Sequence, residues 1–146
     1  MVLFKRIVAL LVHSPRGMAK ERILVVTPVM ETASWLSELL VGQGHSVDTS
    51  TDGAAAFRRV WDEDFDAIVA EVGVPGIDGR DLHMAFQNTW PELGDRMVFV
   101  CEASTFDVDE YVTRTGVPCV PSPITGLALR AALNRVRPPA PIRTLV

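Results

Sequence analysis

Polar or sulfur-containing side chains stand near the ends of four apolar segments of this chain. They are Thr27, Glu71, Cys101 and Ser122. A carboxylate can bind a cation or accept a transferred group, a hydroxyl can donate a hydrogen bond, and a thiol can be oxidised or bind a soft metal. Only one of the four is acidic, which leaves too few oxygen ligands for a dedicated divalent-cation site.

The elements that must position these side chains alternate along the chain. Segments of strand length and apolar character lie at 22–27, 45–49, 66–70, 96–101 and 117–120. Each is followed by an amphipathic segment of helical length, at 31–41, 53–61, 80–87, 107–115 and 125–137. Asp52 and Thr125 are placed to cap two of these helices. Such alternation is typical of a parallel sheet with helices on both faces.

The alternation predicts an α/β protein with the flavodoxin-like, doubly wound fold. Its five parallel strands are expected in the spatial order 2-1-3-4-5, with helices on both faces of the sheet. The carboxyl ends of the strands then meet in one crevice. Thr27, Pro28, Glu71, Cys101 and Ser122 are expected to gather there.

The sequence predicts one domain over residues 21–137, preceded by an extension over 1–20 and followed by a Pro-rich tail over 138–146. The extension places apolar side chains near one face of a short helix. Two interpretations stay open: an ordinary extension, or a helix that docks on a partner or on a second subunit. Its apolar run is too short for a membrane span, and it lacks the pattern of a signal peptide.

Composition limits the classes of function. The 146 residues are 48% hydrophobic and 22% charged, as expected for one soluble domain with a substantial core. A net charge of -4 gives no basic surface for a phosphate backbone, so direct binding to nucleic acid is not expected, and neither is membrane binding. Two cysteines are too few for a disulfide scaffold, and a reducing cytoplasm is the expected location.

Enzymatic and cofactor-binding motifs are absent from the sequence. No Gly-x-Ser-x-Gly elbow accompanies the hydroxyl residues, and no Gly-rich phosphate loop follows the first strand. His13, His45 and His83 have no metal-binding spacing and are interpreted as ordinary polar positions. We therefore expect neither an enzyme nor a bound cofactor or metal.

One stretch carries a likeness to a known family. The strand that ends in Glu71 is followed by Pro75-Gly76-Ile77-Asp78-Gly79, and the last strand is followed by Ser122-Pro123. With these motifs, residues 22–136 resemble the receiver domain of two-component response regulators. In that family an aspartate at the end of the third strand accepts a phosphoryl group with the help of Mg²⁺. The Ser-Pro pair stands where the family has a cis peptide bond.

The resemblance also indicates which reactive groups are replaced. The family's acidic pair, acceptor aspartate, hydroxyl residue, aromatic switch residue and lysine correspond to Thr27 with Pro28, Glu71, Cys101, Cys119 and Ser122. Without the acidic pair and the lysine, neither Mg²⁺ nor a phosphoryl group should be held. The Glu71 carboxylate either fixes an activated shape or points to solvent, and phosphorylation at an atypical site is a further alternative.

The resemblance implies a degenerate receiver that acts by protein interaction in a two-component phosphorelay. The expected partner is a histidine kinase, an output domain, another signalling protein or a second copy of the chain. The expected contact face comprises the helix at 107–115, the last strand and the last helix, with Tyr111, Val112, Val117, Leu129 and Arg130. A hypothesis of another class is a redox or metal-responsive switch through Cys101 and Cys119, unless both are simply buried free thiols.

Overall fold

The computed structural model of the protein describes residues 20–73, 78–101 and 106–137. Within these ranges the strands are β1 Arg22–Val26, β2 Ser46–Ser50, β3 Ala67–Glu71, β4 Met97–Cys101 and β5 Cys119–Pro121. The helices of the same ranges are α1 Met30–Gly42, α2 Gly53–Asp62, α3 Gly79–Thr89, α4 Pro91–Gly94, α5 Phe106–Thr115 and α6 Gly126–Val136.

The strands form one parallel sheet in the order β2-β1-β3-β4-β5, which confirms the predicted fold. In the register of the sheet, Val26 of β1 lies opposite Ser50 of β2 and Ala70 of β3. Glu71 of β3 lies opposite Val100 of β4. The carboxyl ends of neighbouring strands are therefore level, and the residues that follow them share one edge.

Alternating side chains of the strands build a core on each face of the sheet. Leu24 and Val26 of β1 pack on the side of α2, α3 and α5, whereas Ile23 and Val25 pack on the side of α1 and α6. All four are fully buried. Burial of each such side chain contributes roughly 1.5–3 kcal/mol, so the period-two pattern holds the strand ends in place.

Both predicted N-caps are confirmed. The Asp52 side chain accepts a hydrogen bond from the Ala55 amide at the start of α2, and Thr125 accepts one from the Ala128 amide at the start of α6. Each bond satisfies one of the amides that has no partner inside its own helix.

Most boundaries differ from the prediction by no more than one residue, and the larger differences lie next to proline. The predicted helical segment ended at about residue 87, whereas α3 continues to Thr89 and Pro91 then begins the short helix α4, since proline is well tolerated in a first turn. The last strand begins at Cys119 and not at Val117. Pro118 has no amide hydrogen to donate and enters the sheet only through its carbonyl, which accepts from the Phe99 amide (2.8 Å).

The predicted extension before residue 20 and the tail over 138–146 lie outside the described residues, as does most of the loop over 75–79. At the ends of the described domain, Arg137 forms an ion pair with Glu21 (3.3 Å). In the described part of the chain, no helix has the length and apolar character needed to cross a membrane.

Candidate functional site

The carboxyl edge of the sheet brings Thr27 and Glu71 into direct contact. Thr27 follows β1 and is only 2% exposed, and its hydroxyl donates to the Glu71 carboxylate (Oγ1 to Oε2, 2.5 Å). The Val29 amide in turn donates to Thr27 Oγ1 (3.2 Å), which fixes the position of the hydroxyl. The Glu71 carboxylate is therefore directed to β1, and it accepts from a neutral donor.

Gly79 lies against the backbone of Val72, the residue that follows β3. Its amide donates to the Val72 carbonyl (2.9 Å), and a Cβ at this position would lie 3.0 Å from Val72 Cα. Any larger residue would press on the backbone next to Glu71. The Asp78 side chain accepts from the Arg80 and Asp81 amides and begins α3 at this point. Asp78 thus has the role of a helix cap.

Pro28 and Ser122 lie at the same edge but supply no charge to it. Both are exposed, and the Pro28 side chain has no oxygen. The Ser122 amide donates to the Cys101 carbonyl (3.1 Å), and the Ser122-Pro123 bond is cis, as predicted. Among the described residues there is no cluster of three or more His, Cys, Asp or Glu side chains that could hold a metal ion.

The two cysteines lie at the ends of neighbouring strands. Cys101 closes β4 and is buried, and Cys119 begins β5 and is half-buried. Their sulfur atoms are joined in a disulfide, with the Cα atoms 6.4 Å apart, a separation usual for bridged cysteines. The interpretation of both residues as free thiols is therefore wrong, and the bridge ties together the carboxyl edge of β4 and the start of β5.

The structure corrects part of the predicted contact face. Tyr111 and Val117 are each 5% exposed and Leu129 is fully buried, so these three side chains belong to the core. Tyr111 and Leu129 lie on the inward sides of α5 and α6, Val117 lies just before β5, and all three pack in the cores on the two faces of the sheet. Val112 is half-buried and Arg130 is exposed, so only these two can meet a partner directly.

Two polar arrangements were not predicted. His83, interpreted as an ordinary polar position, is 4% exposed and contacts the Tyr111 hydroxyl through Nδ1 (2.6 Å). Its position next to Leu82 and three residues before Phe86 on the apolar side of α3 was the available signal. The second arrangement is a cluster of ion pairs around Arg22, at the amino ends of the strands.

The fold agrees with that of solved receiver domains. The chemotaxis protein CheY4 of Vibrio cholerae matches with a TM-score of 0.71 and 20% identity, over 82% of this chain and 100% of that chain. The signal receiver domain of an HD domain-containing protein from Pseudomonas fluorescens matches with a TM-score of 0.70 and 18% identity, over 80% and 97%. The described residues thus have the CheY-like receiver fold.

Sequence similarity extends over about half of the chain. The transcriptional regulatory protein TcrA of Mycobacterium tuberculosis is 39% identical over 71 residues, which is 47% of this chain and 28% of that protein. The transcriptional regulatory protein TctD of Salmonella typhimurium is 34% identical over 61 residues, which is 42% and 27%. The matches therefore span just over a quarter of these relatives. No protein-family model matches the chain.

Proposed function

We propose that this domain with the CheY-like receiver fold acts in two-component signalling by binding protein partners, without phosphorylation of an aspartate or of Glu71. The observation that carries the proposal is the contact between Thr27 and Glu71. At position 27, where the family has a carboxylate that ligates Mg²⁺, this chain has a buried hydroxyl. That hydroxyl donates a hydrogen bond to the Glu71 carboxylate. The chain then works as a binding module and not as an enzyme.

The oxygen ligands at this edge support the proposal. Mg²⁺ requires near-octahedral oxygen coordination and is held in proteins through carboxylates. Glu71 supplies one carboxylate, while Thr27 is neutral and Pro28 has no side-chain oxygen. A phosphoryl group brings further negative charge, which only a cation can offset.

The absence of a cation from position 122 supports it further. Ser122 is exposed and short, and its amide is already bonded to the Cys101 carbonyl. A hydroxyl gives one neutral hydrogen bond where a lysine would give a charged one. Residues 27 and 28 then supply no carboxylate for a metal, and residue 122 supplies no positive charge of its own.

We place the partner site on the face formed by α5, β5 and α6. Val112 and Arg130 represent its accessible residues, and the buried Tyr111, Val117 and Leu129 support it from beneath. The partner would be a histidine kinase, an output domain or another signalling protein in the cytoplasm, or a second copy of this chain. The apolar residues beneath the face fix its shape, and a charged group such as Arg130 would select the partner.

Fluorescence tests the chemical half of the proposal. The Trp35 indole donates to the Ile124 carbonyl (2.8 Å), two residues after Ser122, and so reports on the carboxyl edge. In a variant with Trp61→Phe and Trp90→Phe, beryllofluoride with Mg²⁺ should cause no saturable change in Trp35 emission. Formation of a stoichiometric acid-labile phosphoprotein with acetyl phosphate would contradict the proposal.

A charge reversal tests the binding half. Arg130→Glu should weaken binding to an identified kinase or output domain, or self-association measured by sedimentation, because Arg130 is exposed on the proposed face. Arg135→Glu is the matched control, since it changes an exposed arginine roughly 140° further around the same helix. Equal effects of the two variants would argue against this face.

The disulfide favours a second candidate function. Disulfides of cytoplasmic proteins are usually transient and redox-sensing, so a bond between Cys101 and Cys119 would act as a switch at the edge of the sheet. A dithiol reductant would break the S–S bond, leave two thiols and become a disulfide itself. If partner affinity changes on reduction, and Cys101→Ser behaves like the reduced protein under both conditions, this candidate holds. An unchanged affinity rejects it.

A further inference from the structure

A buried histidine joins two helices of the domain. His83 of α3 is 4% exposed, and its Nδ1 lies 2.6 Å from the hydroxyl of Tyr111 on α5, which is itself 5% exposed. Among the described residues, His83 is one of three buried polar side chains, and Thr27 and Ser50 are the other two. It is the only one of these three that can change its charge near neutral pH.

The surroundings of the imidazole are mainly apolar. Its ring meets the rings of Phe99 and Tyr111 edge to face, with centroids 6.1 and 5.7 Å away. Its second nitrogen, Nε2, lies 3.3 Å from the side-chain nitrogen of Gln87, which donates to Asp95 (2.9 Å). The Gly94 carbonyl is a further polar neighbour.

Among the described residues, charged groups act on both members of this pair. Asp95 is the carboxylate that acts on His83 itself. The groups that act on Tyr111 are two carboxylates and two guanidinium groups, from Asp78, Arg80, Asp81 and Arg114. A protonated His83 would therefore have one nearby carboxylate, that of Asp95, and otherwise mainly apolar neighbours.

The direction of the hydrogen bond depends on the charge of His83. In the tautomer that carries its hydrogen on Nε2, the neutral imidazole accepts at Nδ1 from the Tyr111 hydroxyl, which keeps its proton because burial raises the pKa of the phenol. A protonated imidazole carries hydrogen on both nitrogens and can no longer accept. The Tyr111 hydroxyl would then accept from Nδ1, and its own hydrogen would depend on the Arg80 carbonyl, which lies 3.4 Å away, a long bond.

We propose that the His83–Tyr111 contact is a pH-sensitive clamp, which holds α5 against α3 while His83 is neutral and releases α5 when His83 takes up a proton. Protonation turns the acceptor of the bond into a donor and places a positive charge in a site that is only 4% exposed. Opening of α5 exposes His83 to water and removes both costs. The clamp therefore couples the position of α5 to pH.

The clamp is independent of the proposed function, since it rests only on contacts between α3, α5 and β4. Its consequence would deepen that function, because α5 carries Val112 of the proposed partner face. Because the proposed function does not use phosphoryl transfer, proton uptake by His83 would then be another way to change the position of the partner face. The experiment below measures α5 alone, so failure of the clamp and failure of the partner proposal give different results.

The expected sign follows from burial. Burial is the main influence and lowers the pKa of His83 from its ordinary value of 6.5, although Gly94 and Asp95 act in the opposite direction. The open state then binds the proton more tightly than the closed state. The contribution of the clamp to stability is complete above about pH 6.5, and it is lost as pH falls toward the lowered value.

Hydrogen exchange of α5, read between pH 7.5 and 5 and corrected for the intrinsic rate, tests the clamp. In the wild type, the opening equilibrium of α5 should rise by up to about tenfold for each pH unit below about 6.5. His83→Asn keeps an acceptor near Nδ1 but cannot titrate, so its α5 should show no such slope. His45→Asn is the control, because it removes a half-buried histidine that does not contact α5 and should leave the slope unchanged.

A second measurement covers the case in which His83→Asn does not fold. The ring protons of His83 in the wild type should titrate below 6.5 by NMR, together with a shift of the Tyr111 ring signals. A slope retained in His83→Asn would overturn the proposal, and so would a His83 titration at or above 6.5.

Discussion

The two ends of the sheet differ in their use of charge. At the amino end, the Arg22 guanidinium pairs with Asp48 (2.8 Å) and Glu63 (2.6 Å) and lies 4.4 Å from the centre of the Phe65 ring. Arg59 joins the same cluster through both carboxylates. At the carboxyl end, the receiver fold normally concentrates its acidic groups and a lysine, yet Glu71 has a neutral threonine as its hydrogen-bond donor.

The comparison indicates that the fold does not depend on charged side chains at the carboxyl end of the sheet. Ion pairs at the amino end connect β1 and β2 with the end of α2, so they support the sheet. The carboxyl end has Gly79 close to the Val72 backbone and a cis bond before Pro123, although the side chains at positions 27, 28 and 122 carry no charge. Backbone shape depends on glycine, proline and core packing, and none of these requires the catalytic charges.

Restoring the charges at the carboxyl end should have the largest effect. Thr27→Asp and Pro28→Asp with Glu71→Asp and Ser122→Lys return two metal ligands, the shorter acceptor and the cation. Beryllofluoride with Mg²⁺ should then change Trp35 fluorescence with saturation, whereas no response is expected from the wild type. The variant that carries only Glu71→Asp and Ser122→Lys is the control and should stay unresponsive. If the fourfold variant also gives no change in Trp35 fluorescence, something other than the missing charges prevents beryllofluoride from binding.

Removing the cation at the amino end should have the next largest effect. Arg22→Ala breaks ion pairs to two carboxylates and uncovers Phe65, and should lower the free energy of unfolding in urea by about 1–2 kcal/mol. The estimate allows for the partial exposure of these side chains, about 36% for Arg22. Arg58→Ala should change stability by less than about 0.5 kcal/mol, because no ion pair of Arg58 occurs among the described residues. Equal losses would refute a supporting role for the cluster.

A smaller loss is expected from Thr27→Val, about 1 kcal/mol in the same assay. The substitution keeps the shape of the buried side chain but removes the only hydroxyl that the structure places on Glu71 within its described residues. Thr49→Val is the matched control, since Thr49 is exposed on the edge strand β2. If Thr27→Val leaves the free energy of unfolding unchanged, water replaces the hydroxyl without loss of stability.

The smallest effect is expected from the substitution of Glu63, and it concerns stability at acidic pH. Hydrogen bonds from Arg59 and then Arg22 lower the pKa of Glu63 from 4.5 to about 2. Because the folded-state pKa is the lower one, the contribution of Glu63 is complete above about pH 4.5 and is lost as pH falls toward 2. Glu63→Gln should therefore flatten the fall of the unfolding midpoint across this window. A slope identical to that of the wild type would remove Glu63 from the cluster.

Much of the fold could be predicted because its signals are local. The alternation along β1, the caps Asp52 and Thr125 and the cis bond at Ser122 each depend on neighbours in the sequence. The contact face was predicted less well. Leu129 was assigned to it from the resemblance, but this side chain lies on the side of α6 that packs on the sheet and is fully buried.

The sequence by itself determined which groups are missing from the carboxyl edge, because the side chains at positions 27, 28 and 122 have no charge in any conformation. The tertiary structure decided which groups meet. Thr27 and Glu71 are 44 residues apart, and His83 and Tyr111 are 28 apart. Hydrogen bonds of this kind need the donor and acceptor within about 3 Å, and only the packing of strands and helices sets that distance.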